Sequence, residues 1–258
     1  MASQRIISYN VNGIRAAMRK GLAEWLQSKD FDIVCFQEIK ANVEQLDESI
    51  FTDMGYHCYW HSAEKKGYSG VAILSKIEPK KITFGMGNPK YDSEGRILVV
   101  EYKGFSLISA YFPSGTSGEA RQGFKYEFLD DFYEYLEELK QKKKKLIICG
   151  DYNIAHHPID IHNPVSNKKS SGFLPEEREW FTKFYDSGFI DTFRHFHEDA
   201  PHNYSWWSYR ANCRANNKGW RIDYFAATKN LAKKLVDADI FPEAKHSDHC
   251  PVYLEIEV

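Results

Sequence analysis

The sequence lacks the long apolar runs and the leader pattern of membrane and secreted proteins. No stretch reaches the roughly 18 apolar residues that a membrane-spanning helix needs. The polar start at residues 1–5 leads directly into an apolar segment, without the pattern of a signal peptide. We therefore expect a soluble, cytoplasmic protein with no membrane partner.

The chain also lacks paired cysteines and a linker. Its five cysteines have none of the spacings typical of zinc sites, and we interpret them as reduced thiols: Cys35, Cys58, Cys149, Cys213 and Cys250. No segment rich in Gly, Ser or Pro divides the 258 residues, and a hydrophobic content of 43% is enough for a substantial core. Residues 1–258 are therefore expected to form a single domain.

A strong net charge is missing as well. The formal net charge is -2 at pH 7, so the chain as a whole does not attract nucleic acid, and any basic contact surface must be local. Three loop segments carry cations that could hold a phosphate backbone: RAAMRK at 15–20, KKGYSG at 65–70 and NKKS at 167–170. The lysines at 142–145 follow a helical pattern, and we interpret them as a solvated helix end.

What the chain does contain is a series of short apolar runs separated by turn residues. Their Val, Ile, Phe and Tyr content predicts strands at residues 5–11, 32–37, 71–74, 97–101, 106–111, 146–149, 222–226 and 251–257. Helical periodicity predicts helices at residues 22–28, 44–53, 122–140 and 175–187. The strands at 97–101 and 106–111 are too close for a parallel crossover and must form a hairpin. We therefore expect mixed sheets with helices outside them.

Acidic residues stand at the ends of four apolar, strand-like segments: Glu38, Asp151, Asp223 and Asp248. Buried strands normally exit into turns that contain Gly, Asn or Pro, and a carboxylate is costly to bury alone. Four such positions suggest one shared acidic cleft, and oxygen ligands of this kind suit Mg²⁺. Taken alone, Glu38 is equally well explained as a solvated acid at a strand end.

Amides close to these acids could add neutral oxygen ligands. Asn153 follows Asp151 by two residues, just after a glycine that lets a ligand approach the backbone. Asn10 and Asn12 lie in the segment SYNVNG, for which a plain turn is the simpler interpretation.

His249 is the histidine with acidic partners in reach. Histidine changes charge near neutral pH, and the adjacent Asp248 could fix its tautomer. Asp223 is flanked by apolar residues and would be costly to bury alone, so we expect it to pair with His249. The histidines in polar stretches are interpreted as surface residues: His156, His157, His195, His197 and His202.

Aromatic and basic residues alternate in YSWWSYR at 204–210 and again at Trp220 and Arg221. Rings and cations this close together suit stacking on a base or sugar beside phosphates. Core packing alone would explain one tryptophan, but it is a poor explanation for the interleaved Arg210, Arg214 and Arg221.

Six motifs, in order, resemble those of the exonuclease III family of abasic-site (AP) endonucleases and run nearly from end to end of the chain. They are SYNVNG (8–13), FQE (36–38), AYFP (110–113), GDYN (150–153), GWRIDYF (219–225) and SDHCP (247–251). The resemblance implies a single catalytic domain folded as a four-layer α/β sandwich. In that fold two packed mixed sheets carry helices on the outside, and the active site lies at one sheet edge.

The same resemblance implies roles for single residues. The implied catalytic residues are Tyr111, Asp151, Asn153, Asp223 and His249. The implied metal site consists of Asn10, Asn12, Glu38, Asp151, Asn153, Asp248 and His249, with Glu38 as the principal ligand. The implied DNA contacts are Arg15, Tyr68, Arg121, Lys125, Asn167, Trp206, Arg210, Trp220 and Ile222. Asn12, Ser170 and Arg210 differ from the residues that animal members carry at these positions.

Within the catalytic set, the resemblance implies that Asp151 handles the proton of the water or of the leaving oxygen and that Asn153 orients it. Tyr111 is expected to reach the scissile phosphate, and the pair of Asp223 and His249 to touch that phosphate. Whether Asp151 or His249 activates the water stays open.

The implied protein is a Mg²⁺-dependent AP endonuclease of DNA base-excision repair, with Mn²⁺ as an alternative metal. It is expected to be a monomer that acts on double-stranded DNA with abasic sites or blocked 3′ ends, with 3′–5′ exonuclease and 3′-phosphatase activity. One alternative is a lipid or inositol phosphate phosphoesterase of the same superfamily, against which the segments around Trp206 and Trp220 argue. The other is a non-catalytic DNA-binding relative, against which the filled catalytic positions argue.

Overall fold

A computed structural model describes residues 3–257, and this part of the chain contains twelve strands and eight α-helices. The strands are β1 (Ser3–Asn10), β2 (Ile33–Gln37), β3 (His57–His61), β4 (Val71–Ser75), β5 (Lys81–Phe84), β6 (Ile97–Glu101), β7 (Ser106–Tyr111), β8 (Leu146–Asp151), β9 (Phe189–Asp191), β10 (Asp223–Thr228), β11 (Leu235–Ile240) and β12 (Val252–Glu257). The helices are α1 (Ile14–Met18), α2 (Leu22–Lys29), α3 (Ser49–Thr52), α4 (Pro89–Asp92), α5 (Glu119–Lys142), α6 (Pro164–Asn167), α7 (Pro175–Asp186) and α8 (Thr192–Phe196).

The strands form two six-stranded mixed sheets, which pack against each other. The first sheet has the order β11-β12-β1-β2-β4-β3 and the second the order β5-β6-β7-β8-β10-β9. Apolar side chains from both sheets, such as Cys35 and Cys149, share one buried core. Because the other face of each sheet is apolar too, α1 to α3 cover the first sheet and α5 and α7 the second. The predicted four-layer α/β sandwich is confirmed.

Parallel pairing brings the ends of central strands to one edge of the sandwich. β1 and β2 are parallel, as are β7 and β8, and the crossover within each pair contains a helix. Tyr111 at the end of β7 pairs with Asp151 at the end of β8, and Asp223 at the start of β10 also pairs with Asp151. Three neighbouring strands thus bring predicted site residues to the same place.

Three of the four predicted helices are confirmed as α2, α5 and α7, with small changes at their ends. The helix predicted at 44–53 is confirmed only at α3, because the first part of this segment forms a separate 3-10 turn at Val43–Gln45. Asp47 lies between them, and its Oδ1 accepts hydrogen bonds from the amide and the hydroxyl of Ser49. The Asp47 side chain thus binds the first amide of α3. A new helix begins at Ser49, and the 3-10 turn does not continue into it.

All eight predicted strands are confirmed, and the four strands that were not predicted are β3, β5, β9 and β11. These are the outer strands of the two sheets. They are only partly buried and carry polar residues, so they lack the apolar run on which a strand prediction rests.

The five cysteines are free thiols, as expected. Among residues 3–257, no helix is both long and apolar enough to cross a membrane.

Candidate active site

A cleft of about 700 Å³ opens at the sheet edge where β2, β7 and β8 end. Its walls contain ten of the predicted site residues: Asn12, Glu38, Tyr111, Asp151, Asn153, Trp206, Trp220, Ile222, Asp248 and His249. Asn10 and Asp223 are buried and hydrogen-bond to the lining residues Asp151 and His249. The residues expected to form a shared acidic cleft are therefore brought together.

Asp151, Asp223 and His249 form a buried cluster at the cleft. One nitrogen or oxygen atom from each lies within 4.8 Å of the others. His249 Nδ1 is 2.9 Å from Asp223 Oδ2, and His249 Nε2 is 3.9 Å from Asp151 Oδ2. Ser205 Oγ donates to the same oxygen of Asp223 at 2.6 Å. Asp223 Oδ1, in contrast, is buried with no hydrogen-bond partner among residues 3–257.

The electrostatics of this cluster follow from burial and from like charges. Burial raises the pKa of Asp151, and the neighbouring Asp223 carboxylate raises it further. Burial alone would lower the pKa of His249, but the carboxylates of Asp223, Asp151 and Asp248 outweigh burial and raise it. The carboxyl groups of Asp151 and Asp223 thus share the imidazole of His249. Asp151, whose pKa is raised, lines the cleft.

Two amide side chains and one backbone N–H hold Asp151. Asn10 Nδ2 donates to Asp151 Oδ2 at 2.9 Å, and Asn153 Nδ2 donates to the same oxygen at 3.2 Å. The backbone N–H of Asn153 donates to Asp151 Oδ1 at 2.8 Å. Asn153 has a left-handed backbone conformation with φ 52°, which asparagine tolerates better than most residues. This turn keeps both donors of Asn153 on Asp151.

Glu38 also lines the cleft, directly after β2, in a left-handed conformation with φ 55°. Its Oε1 is 2.9 Å from Lys40 Nζ, which donates to Asn12 Oδ1 at 2.6 Å. Asn12 Nδ2 in turn donates to Asp248 Oδ1 at 2.9 Å. Lys40 was not among the site residues predicted from the sequence. The available signal was a cation two residues after Glu38, which was predicted to be a metal ligand.

Trp206, Trp220 and Ile222 form an apolar wall of the cleft. The two indole rings meet edge to face with their centroids 6.0 Å apart. Ile222 packs with Phe173 in a small cluster that includes both rings. Trp206 Nε1 donates to Asp248 Oδ2 at 3.1 Å, so the wall and the acidic side of the cleft are directly connected.

The other predicted DNA contacts differ in their surroundings. Arg15 and Arg210 are exposed, and Asn167 is partly exposed. Tyr68 and Arg121 are partly exposed and bound to each other, since Arg121 donates to the Tyr68 hydroxyl at 2.5 Å. Arg121 also forms an ion pair with Glu94 at 3.0 Å.

Lys125 is inaccessible to solvent, and the prediction that it binds DNA is wrong. Its Nζ lies 2.6 Å from Glu177 Oε1 and donates to the carbonyl of Asn153 at 2.8 Å. Lys125 lies on the side of α5 that faces α7, where a cation is tolerated only with an acidic partner.

Contacts within the protein account for two of the three arginines that are interleaved with the tryptophans, against expectation. Arg221 is buried and pairs with Asp160 and Asp191 at 2.8 and 2.7 Å. Arg214 lies over the ring of Trp207 at 4.6 Å, and it donates to several main-chain carbonyls. Arginine can fill such positions because its planar head makes several hydrogen bonds at once.

The surface prediction is wrong for His156, which is buried with Nε2 2.8 Å from Thr182 Oγ1. Burial lowers the pKa of His156 to about 3. His197 is half-buried, and its Nε2 lies 2.8 Å from the carbonyl of Ala238. The three other histidines in polar stretches are exposed: His157, His195 and His202.

The two mixed sheets hold an acidic cleft and a buried Asp–His–Asp cluster at one edge, and the family and relatives of this chain place it among the phosphoester hydrolases. Residues 7–249 match the Endonuclease/Exonuclease/phosphatase family, and the chain belongs to that family.

Relatives match almost the whole chain. The exodeoxyribonuclease of Bacillus subtilis is 43% identical, over 98% of this chain and 100% of the relative. The DNA repair nuclease APEX1 of Danio rerio is 42% identical, over 100% of this chain and 83% of the relative. The solved structure of an AP endonuclease from Archaeoglobus fulgidus has a TM-score of 0.89 at 30% identity and covers 99% of this chain and 100% of that one. A 3′ phosphatase from Neisseria, bound to a product DNA hairpin, has a TM-score of 0.90 at 26% identity, with the same coverage.

Proposed function

We propose that this chain is a Mg²⁺-dependent AP endonuclease of DNA base-excision repair. It hydrolyses the phosphodiester 5′ to an abasic site and also acts at 3′ ends, as a 3′–5′ exonuclease and a 3′-phosphatase. The observation that carries the proposal is the buried cluster of Asp151, Asp223 and His249 in a cleft with an apolar wall. The relatives reported above are nucleases, an AP endonuclease and a DNA 3′ phosphatase, which favours this function over a lipid or inositol phosphatase.

Cleavage of a phosphodiester requires an activated water, neutralised phosphate oxygens and a proton for the departing 3′ oxygen. Asp151 is suited to the proton transfer because its pKa is raised by burial and by Asp223. Asn153 fixes the direction of the Asp151 carboxyl group through two donors. His249, held at Nδ1 by Asp223, has Nε2 available for a phosphate oxygen. Burial raises the pKa of Tyr111, so its hydroxyl remains a hydrogen-bond donor to the phosphate.

The donor set at the acidic side of the cleft fits a hard divalent cation. Glu38, Asp151 and Asp248 supply carboxylate oxygens, the ligands that Mg²⁺ prefers. The oxygens of Asn10 and Asn12 each accept one hydrogen bond already, from the Asn12 amide and from Lys40, and a lone pair is left on each. We assign Glu38 as the principal ligand. A bound Mg²⁺, or Mn²⁺ with the same oxygen ligands, supplies Lewis-acid neutralisation of a phosphate oxygen.

The apolar wall explains a preference for abasic DNA. A deoxyribose without a base can rotate out of the duplex and rest against Trp206, Trp220 and Ile222. An intact nucleotide must also lose its stacking and pairing, which costs a few kcal/mol. The substrate is therefore double-stranded DNA with abasic sites or blocked 3′ ends, held along its backbone by residues such as Arg15, Asn167 and Arg210. Residues 1–258 act as one catalytic domain, because both sheets contribute to one core.

The test uses a duplex with a single abasic site, incubated with the protein in Mg²⁺, in Mn²⁺ or in EDTA. We expect a nick 5′ to the abasic site with either metal and none in EDTA, and a duplex with a 3′-phosphate should release phosphate. Glu38→Ala should lose most of the cleavage at low Mg²⁺ and regain part of it at high Mg²⁺. The exposed Glu44 gives a matched control, since Glu44→Ala should cleave like the wild type. Intact abasic duplex after incubation of the wild type with Mg²⁺ would refute the function.

A further inference from the structure

Lys125 and Glu177 form a fully buried ion pair beside the cleft. Neither side chain is exposed, and Lys125 Nζ is 2.6 Å from Glu177 Oε1. Neither residue lines the cleft itself. A buried ion pair can often be replaced by apolar residues without loss of stability, so stability alone is a weak reason for this pair.

Both partners bind backbone groups that border the cleft. Lys125 Nζ donates to the carbonyl of Asn153 at 2.8 Å. Glu177 Oε2 accepts hydrogen bonds from the amides of Gly172 and Leu174 at 2.6 and 3.0 Å. Asn153 and Gly172 line the cleft. The ion pair therefore ties α5 and α7 to two segments of the cleft wall.

Asn153 connects this pair to Asp151. The carbonyl of Asn153 is fixed by Lys125, and its amide and side chain both donate to Asp151. Contacts from outside the turn hold the left-handed conformation of Asn153: Lys125 binds its carbonyl, and Asn153 Nδ2 donates to the carbonyl of Phe112 at 3.0 Å. Within residues 3–257, Lys125 provides the side-chain contact to the Asn153 carbonyl.

We propose that Lys125 is a positioning residue for the cleavage step. Its ammonium group, paired with Glu177, fixes the turn at Asn153 and thereby the direction of the Asp151 carboxyl group. This inference rests on the AP endonuclease function proposed above. Lys125 does not touch the DNA, so its loss should lower kcat and leave DNA affinity intact. A displacement of about 1 Å at a reacting group can cost on the order of 100-fold in rate.

Lys140 provides a control on the same helix, with a side chain that is only partly buried and a partly exposed ion-pair partner, Glu137. Its Nζ donates to the carbonyl of Ser187 at 2.7 Å, at the opposite end of α7 from Glu177. Lys125→Met and Lys140→Met each remove one ammonium group and its carbonyl contact and leave an apolar side chain of similar length. A purely structural role of Lys125 would lower the free energy of unfolding in Lys125→Met, but it would leave kcat of the folded protein and amide exchange at Asn153 as in Lys140→Met.

The experiment measures kcat and KM on the abasic duplex in Mg²⁺, Kd for the same duplex in EDTA, and amide hydrogen exchange of Asn153 in the free protein. In Lys125→Met we expect kcat to fall on the order of 10- to 100-fold, with KM and Kd unchanged. We also expect faster exchange at Asn153. In Lys140→Met all four quantities should match the wild type, and Lys125→Arg, which keeps the charge and the donors, should recover part of kcat.

Equal kcat and equal Asn153 exchange in Lys125→Met and Lys140→Met would overturn the inference. If Lys125→Met does not fold, the double variant Lys125→Met with Glu177→Gln leaves no unpaired buried charge and carries the test with the same expectations. A wild type that leaves the abasic duplex intact would refute the proposed function. In that case faster exchange at Asn153 in Lys125→Met would still support the tie between Lys125 and the turn, and unchanged exchange would refute it.

Discussion

Two buried ionic clusters of the molecule differ in their charge balance. The balanced cluster joins two aspartates to two arginines: Asp160, Asp191, Arg194 and Arg221. Both oxygens of Asp160 accept hydrogen bonds from these arginines or from a backbone amide. In the other cluster Asp151 and Asp223 share the single His249, and Asp223 Oδ1 has no partner in the described chain.

The two clusters shift the pKa of their aspartates in opposite directions. Burial alone would raise the pKa of Asp160, but the guanidinium groups of Arg221 and Arg194 outweigh burial and hold it well below its usual range. Burial raises the pKa of Asp151, and Asp223 adds to that rise. A balanced cluster compensates its own charges and is costly to break, whereas an unbalanced one costs stability and is typical of a site that moves protons or binds a cation.

The largest expected effect is the loss of turnover in Asp151→Asn. Asparagine keeps the shape of the side chain but cannot transfer a proton, so kcat should fall by a factor on the order of 10²–10⁴. Because this removes one of two like charges, the free energy of unfolding should stay equal or rise. Steady-state kinetics and urea denaturation measure both. A loss of stability without a loss of kcat would mean that Asp151 stabilises the fold and does not transfer a proton.

Asp160→Asn should have the reverse profile. It leaves two buried guanidinium groups with too little negative charge, which should lower the free energy of unfolding by about 3–5 kcal/mol. The kcat of the protein that remains folded should be close to that of the wild type, because Asp160 does not line the cleft. Asp237 is exposed, so Asp237→Asn is the control and should change neither quantity. If Asp160→Asn were as stable as the wild type, the contrast between the Asp160 cluster and the Asp151 cluster would be refuted.

A third prediction uses pH and concerns His156, whose pKa is lowered to about 3 by burial. The folded state prefers neutral imidazole, so the stability from His156 is complete above the unfolded pKa of about 6.5 and is lost as the pH falls toward the folded value. The free energy of unfolding should fall by up to about 1.4 kcal/mol per pH unit in this window. His156→Gln should weaken this dependence, and the exposed His195→Gln should not. Equal slopes in both variants, measured by urea denaturation from pH 7 to 4.5, would contradict the prediction.

How much of the fold could be predicted depended on where a strand lies in its sheet. Central strands such as β2 and β8 are buried on both faces and read as continuous apolar runs. In the edge strand β11 a register shift between Leu235 and Asp237 breaks the alternation of buried and exposed residues, and none of the four residues of β5 is buried. Edge strands that are partly exposed to solvent contain polar residues and lack a continuous apolar run. Periodicity alone therefore does not separate them from loops.

The site could be predicted where its residues lie at or next to the ends of central strands, as Glu38, Asp151 and Asp223 do. Lys125 could not be placed, because its burial depends on the side of α5 that packs against α7, and a single cation in a helix carries no signal for that. The same holds for Arg221, whose partners come from distant parts of the chain. The catalytic roles, the cytoplasmic location and the monomeric state stay predictions.

The smallest expected effect extends the comparison of balanced and unbalanced charge to the protein surface. Arg210 is exposed and has no carboxylate partner among residues 3–257, whereas Arg121 is paired with Glu94. Loss of a free cation that meets a phosphate should reduce the slope of log Kd against log salt by about one. Arg210→Ala should therefore reduce the slope by this amount, and Arg121→Ala by less, because Glu94 already compensates much of its charge.

Binding of the abasic duplex in EDTA over a range of salt concentrations measures both slopes. A larger change in Arg121→Ala would mean that DNA displaces Glu94 from Arg121, and unchanged slopes in both variants would place the DNA on another face.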